Sequence, residues 1–124
     1  MCIRDSKIGG KTHYALEGSI FMAGAIIDWL KNSLQLIDNY KELENILNNT
    51  DNNPGIVLVP AFTGLGAPHW SPNARASISG LTRDSNRNEI ILSSIQSISL
   101  QSLDLISALE NDTSHLFNLS LIHI

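Results

Sequence analysis

Ile56-Val57-Leu58-Val59-Pro60-Ala61-Phe62-Thr63-Gly64-Leu65-Gly66-Ala67-Pro68 is the stretch that decides the architecture. Its first four residues are continuous, apolar and mostly β-branched. They are bounded by Gly55 and Pro60, so a buried strand over residues 56–59 is the better reading than a helix. The chain then enters a loop rich in Gly and Pro, residues 60–73, that carries His69 and Trp70. Gly64-Leu65-Gly66 gives a G-x-G after a strand. The third glycine of a dinucleotide fingerprint is missing, a proline follows where a helix should start, and no G-K-[ST] of a Walker loop is present. A tight loop needing positive φ is the reading those residues support by themselves.

Upstream, residues 11–19 hold Tyr14, Leu16 and Gly18 and suit a short strand. From Ile20 the pattern changes. Ile20, Ala23, Ile27, Leu30, Leu34 and Ile37 recur at 3,4,3,4,3 spacing, one face of an amphipathic helix with Ser19 as its N-cap and Lys31 late in it. Residues 40–47 suit a second short helix, and residues 48–55 form a polar turn. Downstream, residues 75–81 read as another strand. Asn86 with Glu89 makes a variant capping box. Ile91, Ile95, Ile98, Ser102, Leu105 and Leu109 then mark a long helix. Strand, helix, strand, strand, helix predicts an α/β layer structure. Three strands make a small sheet with open edges, so an interior piece of a larger sheet explains the pattern better than a complete fold.

Composition narrows the function. Of 124 residues, 8 are basic and 12 acidic, which excludes a typical basic nucleic-acid binder. An apolar content of 43% excludes a disordered acidic tail. No run of about 18 apolar residues exists, so no membrane span is expected. One cysteine excludes an intramolecular disulfide framework. His69 has no partner at metal-ligand spacing, with His13 and His115 far away in sequence, so no metal site is expected. G-x-S-x-G is absent and no Ser-His-Asp arrangement is visible, so no catalytic residue is assigned.

The two ends stand apart. Leu119-Ser120-Leu121-Ile122-His123-Ile124 and Met1-Cys2-Ile3-Arg4-Asp5-Ser6 can be encoded by one DNA segment read on its two strands. That segment resembles a transposon-end adapter of sequencing libraries. Residues 1–6 and 119–124 are therefore read as adapter sequence and set aside from fold reasoning. Residues 7–118 remain as a partial domain truncated on both sides.

One pair of polar and small residues is notable. Gly24 and Asp28 lie four apart, on one face of the first helix. A glycine inside a helix costs about 1 kcal/mol against alanine. Close helix packing beside a solvated Asp28 accounts for the pair, and so does a slot opened by Gly24 with carboxylate acceptors beside it.

Function enters through resemblance. Tyr14-Ala15-Leu16-Glu17-Gly18-Ser19, Phe21-Met22-Ala23-Gly24-Ala25 and the run from Val59 to Pro68 resemble the FGGY family of carbohydrate kinases, in its glycerol-phosphorylating branch. The family's C-terminal signature also fits. Ala76-Ser77-Ile78-Ser79-Gly80-Leu81 is followed after seven residues by Glu89-Ile90, and after two more by Ser93-Ser94-Ile95-Gln96. The resemblance covers residues 11–112. It implies part of an actin-like (ribonuclease H-like) ATPase domain, at the start of the second of two such domains.

The reaction it implies is transfer of the ATP γ-phosphoryl group to a glycerol hydroxyl, with Mg²⁺, in a cytoplasmic parent enzyme that is a homo-oligomer and has no nucleic-acid or membrane partner. By the same resemblance Gly24 contacts the nucleotide. Asp28 stands where bacterial relatives often carry Gln near the adenine, and it can accept but not donate a hydrogen bond. His69 replaces an aromatic residue, and Ala76 a glycine. The phosphate loop, the glycerol-binding residues and the catalytic Asp of the family belong upstream of this stretch. A pentulose or gluconate kinase of the same family is the alternative, and a small non-enzymatic binding module the alternative from another class.

Overall fold

The computed structural model describes residues 2–51 and 55–114. Residues 119–124 and His115 fall outside the described residues, as does the middle of the polar turn at 52–54. The order of elements is β1 (Cys2–Ile8), β2 (Lys11–Glu17), α1 (Gly24–Asp28) continued by a π-helical turn (Trp29–Ser33), α2 (Tyr40–Asn49), β3 (Val57–Val59), β4 (Ser77–Ser79) and α3 (Arg87–Thr113).

β1 and β2 form an antiparallel hairpin in register from Cys2↔Glu17 to Ile8↔Lys11. Gly9 and Gly10 both take positive φ, as the two-residue turn matching strand twist requires. The expected strand at residues 11–19 is thus present, and β1 takes in residues 2–6. Every residue of both strands is exposed, and Arg4 pairs with Glu17 across the hairpin. The buried core is built without it.

The core lies among the helices and the second two-stranded sheet. β3 and β4 pair antiparallel, Val57↔Ser79 to Val59↔Ser77. One cluster joins Leu30, Ile37, Leu43, Ile46 and Ile91, and another joins Met22, Ile26 and Leu58. Ile27, Trp29 and Ile95 touch both clusters and make them one body. Trp29 meets Phe62 edge-on at 4.7 Å between centroids, a favoured aromatic geometry.

The first helix differs from its expected form. It starts at Gly24, not after Ser19, and Ala23 precedes it without a side-chain cap. Residues 20–23 run as loop and bury Met22. The π turn follows, with the Leu34 amide donating to the Trp29 carbonyl at 3.0 Å and the Leu36 amide to that of Leu30 at 2.8 Å. A wide turn takes in more residues than an α turn, so the inward face moves off the 3,4 spacing. Leu34 is 41% exposed as a result, while Met22, Ile26, Leu30 and Ile37 are buried.

α2 forms where a helix was expected. The Asn39 side chain accepts from the Glu42 amide at 3.0 Å, and the Glu42 carboxylate accepts from the Asp38 amide at 2.7 Å. Glu42 also takes a 2.6 Å hydrogen bond from Arg87, tying the start of α2 to the start of α3. The capping box of α3 is complete. Asn86 accepts from the Asn88 and Glu89 amides, and Glu89 accepts from the Asn86 amide. Losing such a cap costs about 1 kcal/mol.

α3 buries Ile91, Leu92, Ser93, Ser94 and Ser97. The three serines donate to carbonyls of their own helix, so their burial strands no donor. Ile95 and Ile98 pack against the core as the spacing predicts. By length and composition alone α3 could cross a membrane, as core helices of soluble proteins also could. In this fold its first half is packed against α2 and β3.

The strand at residues 56–59 is corrected in one respect. Ile56 and Leu58 are buried, but Val57 is 51% and Val59 39% exposed. Among the described residues only one face of β3 is covered.

The Asp38 amide and the Arg87 guanidinium both stabilise the charged form of Glu42 and hold its carboxyl below the ordinary 4.5. A group lowered on folding stabilises the folded state above its ordinary value, and that contribution is lost as pH falls through the lowered one. An NMR titration of the Glu42 side-chain carbon is expected to show a midpoint below 4.5, moving up toward it in Arg87→Gln. An unchanged midpoint in that variant would refute the tie between α2 and α3.

Candidate functional site

Gly24 is the first residue of α1, so the cost of a mid-helix glycine does not apply. A Cβ built there meets nothing within 4 Å among the described residues, so none of them packs closely against the glycine. Asp28 ends α1, one turn on, and is exposed. The structure therefore gives open space at Gly24 with a solvated carboxylate on the same helix. Neither residue lines one of the recesses described below. Among the described residues no group of three His, Cys, Asp or Glu side chains gathers at metal-binding distance.

The glycine-rich loop is built for close approach. Gly64 takes φ +90°, and a Cβ there would sit 2.8 Å from the Pro72 carbonyl oxygen, so the positive φ expected of this loop is present. Gly66 serves differently. A Cβ on it would come within 2.9 Å of the Ser19 carbonyl oxygen and 3.0 Å of the Phe21 ring. The loop is closed by reciprocal hydrogen bonds between Leu65 and Ser71 at 2.9 and 3.0 Å, and its Ala67–Pro68 bond is cis. It braces the segment that leads into Gly24.

His69 and Trp70 separate. Trp70 is exposed with φ +47°, whereas His69 Nε2 lies 3.2 Å from Asp104 Oδ2 on α3. Both side chains of that pair are more than half exposed, so it contributes at most about 1 kcal/mol. Two recesses meet beside it. A narrow one lies between Phe21, Gly66 and Gln101, and a groove of about 320 Å³ runs between β3 and α3. Asp104 was not singled out from sequence. It lies 35 residues from His69, and no local pattern announces so distant a partner. The arrangement offers acceptors and an apolar recess. No nucleophile paired with a base is found among the described residues.

The chain matches the family described as FGGY family of carbohydrate kinases, C-terminal domain, over residues 4–124. It is 52% identical over 106 residues to a glycerol kinase of Alteromonas mediterranea, covering 86% of this chain and 22% of that one. A glycerol kinase of Clostridium beijerinckii is 49% identical over 105 residues, covering 85% and 21%. Among solved structures, Plasmodium falciparum glycerol kinase with ADP superposes with a TM-score of 0.81 at 37% identity, over 90% of this chain and 22% of that chain. The ligand-bound xylulose kinase of Lactobacillus acidophilus gives 0.73 at 23% identity, over 86% and 22%, and shares the fold. The chain thus spans about a fifth of the length of these relatives.

Gly66→Ala is expected to force the loop off the Ser19–Phe21 segment, an overpacking that costs about 1–3 kcal/mol. Amide exchange at Leu65 and Ser71 should accelerate by about tenfold or more. Unchanged exchange at both would show that the approach is not tight.

Proposed function

The chain belongs to the FGGY family of carbohydrate kinases, and from that premise we propose that it serves in an ATP-dependent glycerol kinase that converts glycerol to glycerol 3-phosphate. The fold is part of an actin-like (ribonuclease H-like) ATPase domain, an α/β arrangement with an incomplete sheet and flanking helices. The observation that carries the choice of glycerol is the identity of 47–52% to glycerol kinases over most of the chain. Likeness to xylulose and gluconate kinases stands at 22–24% and supports the fold alone.

Phosphoryl transfer depends mostly on positioning and on neutralising charge, with a carboxylate taking the proton of the attacking hydroxyl. No residue of this chain is assigned that base. Its share is on the nucleotide side. Gly24 leaves room for the nucleotide to approach the helix, and Asp28 accepts a hydrogen bond from an adenine amino group or a ribose hydroxyl. Nucleotide use is supported by the Plasmodium falciparum glycerol kinase, whose structure was solved with ADP. Mg²⁺ would supply charge neutralisation at the phosphates, but its ligands are not assigned to this chain because no suitable cluster gathers among the described residues. We propose further that the parent is a cytoplasmic homo-oligomer, with glycerol and ATP as its small-molecule partners.

The test replaces the matching stretch of the Alteromonas mediterranea glycerol kinase with residues 11–112. The chimaera is expected to phosphorylate glycerol with ATP, while the 124-residue chain alone shows no turnover. Gly24→Val in the chimaera should raise KM for ATP by about tenfold or more and leave KM for glycerol within about twofold. A soluble chimaera inert toward glycerol but active on a pentulose or on gluconate would overturn the substrate. An unchanged KM for ATP would remove Gly24 from the nucleotide site.

A further inference from the structure

α1 has only five residues and no side-chain cap, so the place of its first residue, Gly24, is set by its surroundings. Residues 20–23 lead into it as loop. Two contacts hold that lead-in. Met22 is buried with Ile26 and Leu58. Gly66 approaches the residues just before, so closely that a Cβ on it would lie 2.9 Å from the Ser19 carbonyl oxygen and 3.0 Å from the Phe21 ring. The position of the glycine-rich loop therefore governs the position of the lead-in.

That loop is tied into one unit. The Trp70 amide donates to the Gly66 carbonyl at 2.8 Å, beside the reciprocal bonds of Leu65 and Ser71. A displacement at His69 is thus carried to Gly66 within the loop. α3 is the fixed wall it faces, anchored in the core by Ile91 and Ile95. The narrow recess between them is lined by Phe21, Gly66, His69, Gln101 and Asp104 among others. Gln101 leaves its Oε1 without a hydrogen-bond partner among the described residues. Asp104, one turn on, places its Oδ2 3.2 Å from His69 Nε2. A carboxylate only accepts, so His69 Nε2 carries the proton and donates it.

We propose that the His69–Asp104 hydrogen bond is a positioning contact for nucleotide binding. It holds the glycine-rich loop against α3, the loop holds residues 19–21 through Gly66, and the start of α1 thereby presents Gly24 to the nucleotide. Neither His69 nor Asp104 touches the nucleotide. The inference rests on the nucleotide reading of Gly24 and adds two residues that act on it through others. The size of the effect is bounded. An exposed pair shifts an equilibrium by up to about fivefold, the factor that corresponds to about 1 kcal/mol at 25 °C. A contact of that strength changes local placement far more than it changes whether the domain folds.

The experiment uses the glycerol kinase chimaera and four variants of it. Asp104→Leu and His69→Ala each abolish the bond, a double variant carries both changes, and Asp104→Asn keeps an amide oxygen that still accepts. Asp104→Leu and His69→Ala should each raise KM for ATP by about three- to fivefold and leave kcat and KM for glycerol within about twofold. Asp104→Asn should match the parent. The double variant should be no worse than either single one, because both remove the same interaction. The Ile26 amide donates to the Ala23 carbonyl at 3.0 Å at the start of α1. Its exchange should accelerate by about threefold or more in Asp104→Leu and stay unchanged in Asp104→Asn.

In a chimaera active on glycerol, an unchanged KM for ATP in Asp104→Leu and His69→Ala overturns this inference and leaves the kinase reading standing. A rise that Asp104→Asn shares also overturns it, because charge and not the hydrogen bond would then be at work. An equal rise in both KM values with a lowered Tm overturns it too, by showing a general loosening. In a soluble chimaera that cannot phosphorylate glycerol, faster Ile26 exchange in Asp104→Leu but not in Asp104→Asn upholds the link from His69 to α1 and removes the kinase reading.

Discussion

Small side chains on the first half of α3 let that helix lie close to β3, and the packed elements take their places by reference to it. Ser94 and Ser97 are buried there, and each returns its hydroxyl proton to a carbonyl of its own helix. Ile91 then reaches the cluster around Leu30 and Leu43, while Ile95 reaches both clusters. The Arg87–Glu42 ion pair fixes α2 at one end, and Asp104 meets His69 at the other. The capping box matters because it sets where the helix begins, and so which residues face inward along its length.

The signals that proved legible in the sequence were local. Asn86 and Glu89 are three apart, and each supplies what the other lacks, so the start of α3 could be named before any coordinates. The polar start of α2 and the bounded apolar run at 56–59 are of the same kind. Gly64 is too, because positive φ is a property of one residue. Ser19 misled for the opposite reason. A capping residue before an apolar pattern is a sound local cue, but here residues 20–23 run as loop with Met22 buried, and the helix begins at Gly24. The exposure of Val57 and Val59 was hidden because a continuous apolar run reports what a strand can bury, not whether this chain supplies the cover.

The candidate site shows the same division. Gly24 and Asp28 share a helix face, which their spacing gives away, but the role proposed for them comes from likeness to a family. Beside Gly24 the described residues leave open space, and none of them packs closely against it. His69 drew notice as a lone histidine in a loop. Its partnership with Asp104 depends on the path of the chain through 34 intervening residues, which no short pattern encodes. Chemistry that needs several groups brought together from far apart is what a stretch of this length shows least.

The π turn after Asp28 has a consequence for how relatives of this chain are compared. Geometrically it is an α turn holding an extra residue, spanning Trp29 to Leu34 where a tighter turn would close one position sooner. A relative shorter by one residue between Leu30 and Leu34 can tighten that turn to the ordinary helix and still bury its counterparts of Ile26, Leu30 and Ile37. An ungapped alignment across such a deletion assigns the wrong inward face to everything from Leu34 to the start of α2. Length variation at this point is therefore a difference of winding, absorbed within one turn, and the packed positions on either side carry the correct register.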